Sequence, residues 1–234
     1  MSDTAPPRNP FAVAFEALPE TLPIFPLAGV LLLPGGRLPL NVFEPRYLAM
    51  VDHALRGARM IGMIQPARPG GYAGDGLGDG IAPPPVHAVG CAGRIVAFSE
   101  TGDGRLLITL AGVCRFAIGA ELPLAAGGFR VVRADYSRYR ADMAAEGLEL
   151  DRPRLMAALK RFVAASAIST DWQALERIDD RALVSNVSMA APLDPADKQA
   201  LLEAQDATRR GRLLIGLLEA AAMAADAAAS RERH

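Results

Sequence analysis

Leu22 to Gly57 reads LPIFPLAGVLLLPGGRLPLNVFEPRYLAMVDHALRG, and its pattern changes character midway. Two short apolar runs, Ile24 to Phe25 and Val30 to Leu33, stand between Pro23, Pro26, Pro34 and Pro39. Such runs, punctuated by Pro and Gly, predict short buried strands. Pro45 then suits the first turn of a helix, where its missing N–H would have had no partner. Leu48, Met50, Val51 and Leu55 follow at helical spacing and predict one buried face. The stretch is therefore expected to form a strand, a turn, a second strand and a helix.

Working outward, Met60 to Ile64 predicts another buried strand, and residues 68–85, rich in Gly and Pro, predict a long flexible loop. Val86 to Phe98 and Leu106 to Ile118 form a hairpin around SETGDGR. A turn at Gly102 and Asp103 pairs Ile95 with Leu110 and sets Cys91 opposite Cys114, so both cysteines are expected to face the core together. Leu106, Ile108, Leu110, Cys114, Phe116 and Ile118 share one face by alternation. Phe129 to Tyr136 supplies a last strand. Short strands with one helix and many turns suggest a closed or half-closed β-structure.

From Asp151 onward the pattern is helical. Asp151 with Pro153 starts a helix with Leu155, Leu159, Phe162 and Val163 inward. Asp171 and either Asp179 or Asp180 are expected caps, as is Asp194 before Pro195. The organisation reads as α+β: a leader over 1–18, whose Phe11, Val13 and Phe15 are free to pack on the fold, a β-rich part over 19–140 and a helical part over 150–229.

The chain has 234 residues, a hydrophobic fraction of 51% and a net charge of −1. That describes a soluble globular protein without the basic excess expected of a nucleic-acid binder. The start lacks a secretory signal pattern and Leu213 to Ala229 is interrupted by Glu219 and Asp226, so no membrane association is expected and the cytoplasm is the default. Two cysteines, Cys91 and Cys114, are expected to stay reduced there.

The segments LPIFPL, LLLPGGRLPLNVFEPRYLAMV and IGMIQP, then VGCAGRIVAFSETGDGRLLITLAGVCRFAI, ELPLAAGGFRVVRADY, DWQALERIDDRALVSNVSMAAPLDPADKQALLEA and RLLIGLLEAA, resemble the Lon N-terminal substrate-binding domain family in order and spacing from Leu22 to about Ala222. The resemblance is that of a stand-alone member. It implies an N-terminal PUA-like β pseudo-barrel with one inserted helix, followed by a helical bundle. It further implies binding of unfolded or apolar polypeptide segments, with a protease as a further partner.

No catalytic constellation accompanies it. A P-loop places Lys after Gly so that backbone amides and the ammonium hold phosphates together; neither Lys160 nor Lys198 follows a glycine, and both fall on faces predicted to be solvated. The same two lysines are the only candidates for a Ser and Lys peptidase dyad, so no enzymatic activity is expected. The GDGLGDG glycines do not fit a dinucleotide fingerprint. Asp75 with Asp79, or His87 with Cys91 and Cys114, make weak metal sets. Asp52 beside His53 lacks a nucleophile elbow. No cofactor is expected. The candidate polypeptide-binding residues are Phe25, Leu31, Leu33, Phe43, Glu44, Arg46, Tyr47 and Met63, the apolar ones as groove lining and Glu44, Arg46 and Tyr47 for the polar turn into the helix. Alternatives are a small-ligand sensor or enzyme on the same fold, and a homodimer formed through the Ala-rich last helix.

Overall fold

The computed structural model describes residues 13–68, 84–144, 148–166 and 170–231. A 3-10 turn, Phe15–Ala17, precedes β1 (Thr21–Pro26), β2 (Arg37–Val42), α1 (Pro45–Arg56), β3 (Met60–Ile64), β4 (Val89–Glu100), β5 (Leu106–Glu121) and β6 (Arg130–Asp135). A second 3-10 segment, Ser137–Met143, leads to α2 (Arg152–Ser166), α3 (Trp172–Arg177), α4 (Asp180–Ala190), α5 (Pro195–Glu203) and α6 (Ala207–Arg231). The architecture is mixed α+β around a six-stranded sheet ordered β2-β5-β4-β3-β1-β6. β6 also pairs with β5, which closes β5, β4, β3, β1 and β6 into a ring and leaves β2 as a flank. Among the described residues only β1 and β3 run parallel, joined through β2 and α1.

Leu31 to Leu33 is buried and Val30 half-buried, as an apolar run should be, but the run is not a strand. It crosses β5 at Gly112, whose carbonyl accepts from the Gly35 N–H and whose N–H donates to the Gly36 carbonyl, each at 2.9 Å. A Cβ at Gly112 would lie 2.0 Å from the Leu33 carbonyl oxygen, so only glycine admits the crossing. The strand falls instead on Arg37–Val42, where Leu38, Leu40 and Val42 turn inward. Pro39, which reads as a breaker, is tolerated because among the described residues β2 has a partner on one side only.

Pro45 does open α1, which buries Tyr47, Met50, Val51 and Ala54. Leu48 and Leu55, expected inside, are half-buried at the margins of that face. In the hairpin, Ile95 pairs with Leu110 as expected, whereas Cys91 pairs with Arg115, and Cys114 with Ala92. The cause is an extra residue on β5, Val113, between two ladder steps. Such a bulge inverts the side-chain alternation. Ile108 and Leu110 therefore enter the larger core with Cys91, while Cys114, Phe116 and Ile118 enter a second one.

That second core, with Leu22, Ile24 and Val132, lies under Phe15, Leu18, Tyr139 and Met143 from the two 3-10 segments. The larger core is continuous between strands and helices, joining Phe25, Met50, Ile61 and Leu110 to Leu155, Leu183, Leu201 and Leu214. Each such fully buried side chain contributes roughly 1.5–3 kcal/mol. On α2, Leu155, Leu159 and Phe162 are buried and Val163 is half-buried.

Asp151, Asp171 and Asp179 accept from the N–H groups of Arg154, Ala174 and Ala182 at 2.9–3.0 Å. Asp194 makes no side-chain cap bond, although Pro195 begins the helix. Lys160 is exposed, but Lys198, expected on a solvated face, is buried and donates to the Gly29 carbonyl at 2.9 Å. No described helix is long and apolar enough to cross a membrane. Phe11, the 1–12 part of the leader, Asp75, Asp79 and most of the 68–85 loop lie outside the described residues.

Candidate functional site

The FEPRY turn is built by its charged pair. Arg46 donates through Nε and Nη2 to Glu44 Oε2 at 3.0 and 2.6 Å, and its guanidinium lies 4.8 Å from the Tyr47 ring centre. The Tyr47 ring is buried against Phe25, with centroids 4.2 Å apart. Phe25, Leu31, Leu33 and Met63 are likewise core side chains, between 0 and 6% exposed. The structure thus places most of these residues in the core rather than along an open groove.

Phe43 differs: it is 59% exposed, with the Arg105 guanidinium 5.5 Å from its ring centre. Arg105 is itself held by Asp103 at 2.8 Å. Leu107, 46% exposed, sits on the same surface, paired across the strands with Asn41, and Phe98, 57% exposed, lies on the other face of the same hairpin end. Three large apolar side chains therefore meet solvent at one end of β2, β4 and β5. The sequence signal for Leu107 was available in the strand alternation, which places it opposite Ile108 and Leu106. Phe98 carries no such signal, since it pairs with buried Ile108.

The flank of β2 is an edge. The bond from Gly112 N–H to Gly36 O sets Leu38, Leu40 and Val42 in hydrogen-bonded register with β5 and turns the backbone of Arg37, Pro39 and Asn41 outward. Pro39 has no N–H, so it interrupts the row of donors that an added strand would need.

Elsewhere, an apolar cleft of about 340 Å³ opens among α2, α3 and α4, lined by Leu159, Phe162, Val163, Leu175 and Val187. Asp52 pairs with Arg56 rather than with His53, whose ring lies 5.3 Å from that of Phe129. Burial and, less strongly, the negative charge of Asp142 push the Cys114 thiol up to about 12; burial raises Cys91 well above the ordinary thiol value too. Both remain free thiols, and no group of three or more His, Cys, Asp or Glu side chains is placed to hold a metal among the described residues.

A family model for the ATP-dependent protease La (LON) substrate-binding domain matches residues 21–220. The Lon protease of Roseiflexus castenholzii is 27% identical over 222 residues, covering 94% of this chain and 26% of that protein. Lon protease 2 of Myxococcus xanthus is 26% identical over 215 residues, covering 87% of this chain and 24% of that protein. The chain thus spans about a quarter of the length of the curated relatives it matches. Among solved structures, the Lon N-terminal domain protein from Xanthomonas campestris aligns with a TM-score of 0.55 at 24% identity, covering 84% of this chain and 97% of that one. The N-terminal domain of the Mycobacterium avium complex Lon protease aligns at 0.58 and 20% identity, covering 85% and 97%. Both show a shared fold.

Proposed function

This chain belongs to the ATP-dependent protease La (LON) substrate-binding domain family, and we propose that it is a non-catalytic polypeptide-binding module, an adaptor or recognition factor in cytoplasmic protein quality control with a protease as its working partner. The match to a substrate-binding domain model over residues 21–220, together with a span of about a quarter of the relatives' length, supports this reading. The observation that carries the reading to a surface is Phe43, a large aromatic side chain kept in solvent at the mouth of a rigid turn. Glu44, Arg46 and Tyr47 fix that turn, Phe25 packs under the Tyr47 ring, and Leu31, Leu33 and Met63 belong to the same core. We read the closed sheet as the PUA-like pseudo-barrel that carries recognition, and the helices over 150–229 as a bundle that buttresses it.

The mechanism is burial of partner side chains against Phe43 and Leu107. Covering one aromatic ring contributes roughly 2 kcal/mol at ~25 cal/mol per Å², whereas micromolar affinity requires about 8 kcal/mol. Several weak contacts must act together, which suits transient engagement of many unfolded chains and not one tight partner. The outward position of Pro39 argues against binding by strand addition along β2. The test is binding of a permanently unfolded, carboxymethylated protein to the wild-type chain and to Phe43→Ser/Leu107→Ser. Saturable binding that the variant weakens severalfold supports the proposal; equal binding, or none, overturns it.

The apolar cleft of α2, α3 and α4 favours a second reading, a sensor for a small apolar ligand. A thermal shift with such compounds, lost in Val187→Trp, is its signature.

A further inference from the structure

Residues 13–18, VAFEAL, lie across the second core before β1 begins. Val13, Phe15 and Leu18 are half-buried, whereas Ala14, Glu16 and Ala17 are exposed. Phe15 and Leu18 rest on the core beside Tyr139 and Met143 of the second 3-10 segment, and Val13 lines a cleft of about 520 Å³ together with Val113 and Met143. Arg140 holds the segment from outside. Its guanidinium lies 4.1 Å from the Phe15 ring centre, and its Nη2 donates to Glu16 Oε1 at 2.9 Å.

The segment and the surface under it differ in how firmly they are built. Backbone bonds of the segment close on itself, from Ala17 N–H to the Ala14 carbonyl at 3.0 Å and from Leu18 N–H to the Phe15 carbonyl at 3.2 Å; bonding to the sheet starts at Glu20, whose carbonyl accepts from the Ala134 N–H. The single 3-10 turn has no capping side chain. An ion pair whose members are 64 and 71% exposed adds little. Three half-buried apolar side chains must therefore offset the entropy of ordering six residues, which leaves the segment easily displaced. The receiving surface is fixed instead: Phe116, Val132 and Tyr136 are buried, the Cys114 thiol donates to the Tyr139 carbonyl at 3.4 Å, and the second 3-10 segment is tied to β5 through Asp142 and Arg115. That surface falls within residues 21–220, the range of the family match, and the segment laid on it precedes that range.

Resting on the polypeptide-binding reading, we infer that this surface is a second docking site for polypeptide segments and that residues 13–18 are its resident competitor. The segment already seated there defines the ligand: an apolar residue, then an aromatic one followed directly by an acidic one, and a further apolar residue three beyond the aromatic, as in Val13, Phe15, Glu16 and Leu18. Arg140 reads two of these features at once, the ring by cation–π contact and the carboxylate by charge. A tethered copy acts at an effective concentration on the order of millimolar. Outside segments therefore gain the surface only where they match it well, while Phe43 and Leu107 stay open to any apolar segment.

Fluorescence anisotropy on the full chain tests this with a labelled peptide of residues 13–20, VAFEALPE, its Glu16→Lys counterpart and a scrambled form. Wild type is expected to bind all three weakly, because its own segment holds the surface. Phe15→Ser/Leu18→Ser, altered only at half-buried positions, is expected to bind VAFEALPE about tenfold more tightly than wild type does, and about tenfold more tightly than it binds the scramble. Arg140→Glu, at an exposed position, repels its own Glu16 and is expected to prefer the Lys peptide about tenfold, with the preference shrinking in high salt. This second variant decides the matter should the first lose its native circular dichroism. A folded variant that gains nothing over wild type, or that binds peptide and scramble equally, overturns the inference; binding of carboxymethylated protein through Phe43 and Leu107 then still stands. Loss of that binding as well overturns both.

Discussion

Arg115 and Asp142 form a two-pronged ion pair inside the protein, Nε to Oδ2 and Nη2 to Oδ1 each at 2.8 Å, with side chains only 3 and 8% exposed. The same guanidinium donates to the carbonyls of Leu202, Ala204 and Gln205 at the end of α5. One arginine on the sheet thereby anchors the second 3-10 segment and a helix terminus. Asp142→Asn removes the counter-charge and leaves the cation buried, so a loss of about 3–5 kcal/mol is expected. Arg115→Met/Asp142→Leu should recover part of it, the remainder being the abandoned helix carbonyls. Urea denaturation of the three proteins checks both.

Gly112→Ala places a methyl group 2.0 Å from the Leu33 carbonyl oxygen. Backbone cannot rotate aside as a side chain does, so the loop over 30–36 must lift from β5. A loss of roughly 1–3 kcal/mol or more is expected. Gly102→Ala in the hairpin turn, where nothing lies within 4 Å, should change stability by less than about 0.5 kcal/mol. Thermal melts of the pair give the comparison.

Phe43→Ala and Tyr47→Ala separate surface from support. Phe43 is largely in solvent, and its loss is expected to leave stability within about 0.5 kcal/mol of wild type while weakening polypeptide binding severalfold. Tyr47 is buried on Phe25, and its loss is expected to cost about 3–5 kcal/mol. Denaturation midpoints and binding isotherms on the same preparations distinguish them.

The thiols give a pH prediction. Unfolded cysteines ionise near 9.0, but burial holds Cys114 protonated to about 12 and Cys91 higher than its ordinary value. Above pH 9 the unfolded chain therefore binds fewer protons than the folded one. The stability from this source is complete below about pH 9 and declines as pH rises toward 12. Urea midpoints at pH 7, 9 and 10 in reductant should fall, and less steeply in Cys91→Ala/Cys114→Ala. Neither thiol should react with a disulfide reagent until the chain is unfolded.

Local chemistry made much of the fold readable. Pro45 needs no partner for a missing N–H, Asp171 and Asp179 carry their caps wherever the chain goes, and the Gly102 turn sets Ile95 against Leu110. What escaped depended on contacts between distant segments. Val30 to Leu33 has the composition of a strand, yet Gly35 and Gly36 just after it are hydrogen-bonded to Gly112, and the Leu33 carbonyl packs against that glycine, some 80 residues on. Cys114 changes face because one bulged residue, Val113, has no signature distinguishing it from ordinary alternation. Lys198 reads as solvated until the Gly29 carbonyl arrives above it. At the candidate surface, burial alone separates Phe43 from Phe25 and Tyr47, and burial is a property of the assembled chain.

Pro39 gives the edge of β2 an immunity. Chains that have lost their fold expose strands eager to extend any ladder they meet, and a continuous row of free donors would seed them into growing sheets. A proline at the outward-facing position breaks that row while Phe43 and Leu107 stay open a few residues away. Contact through side chains is thus uncoupled from templating through backbone, so on the proposed function a sticky client would be held and let go without recruiting its holder into an aggregate.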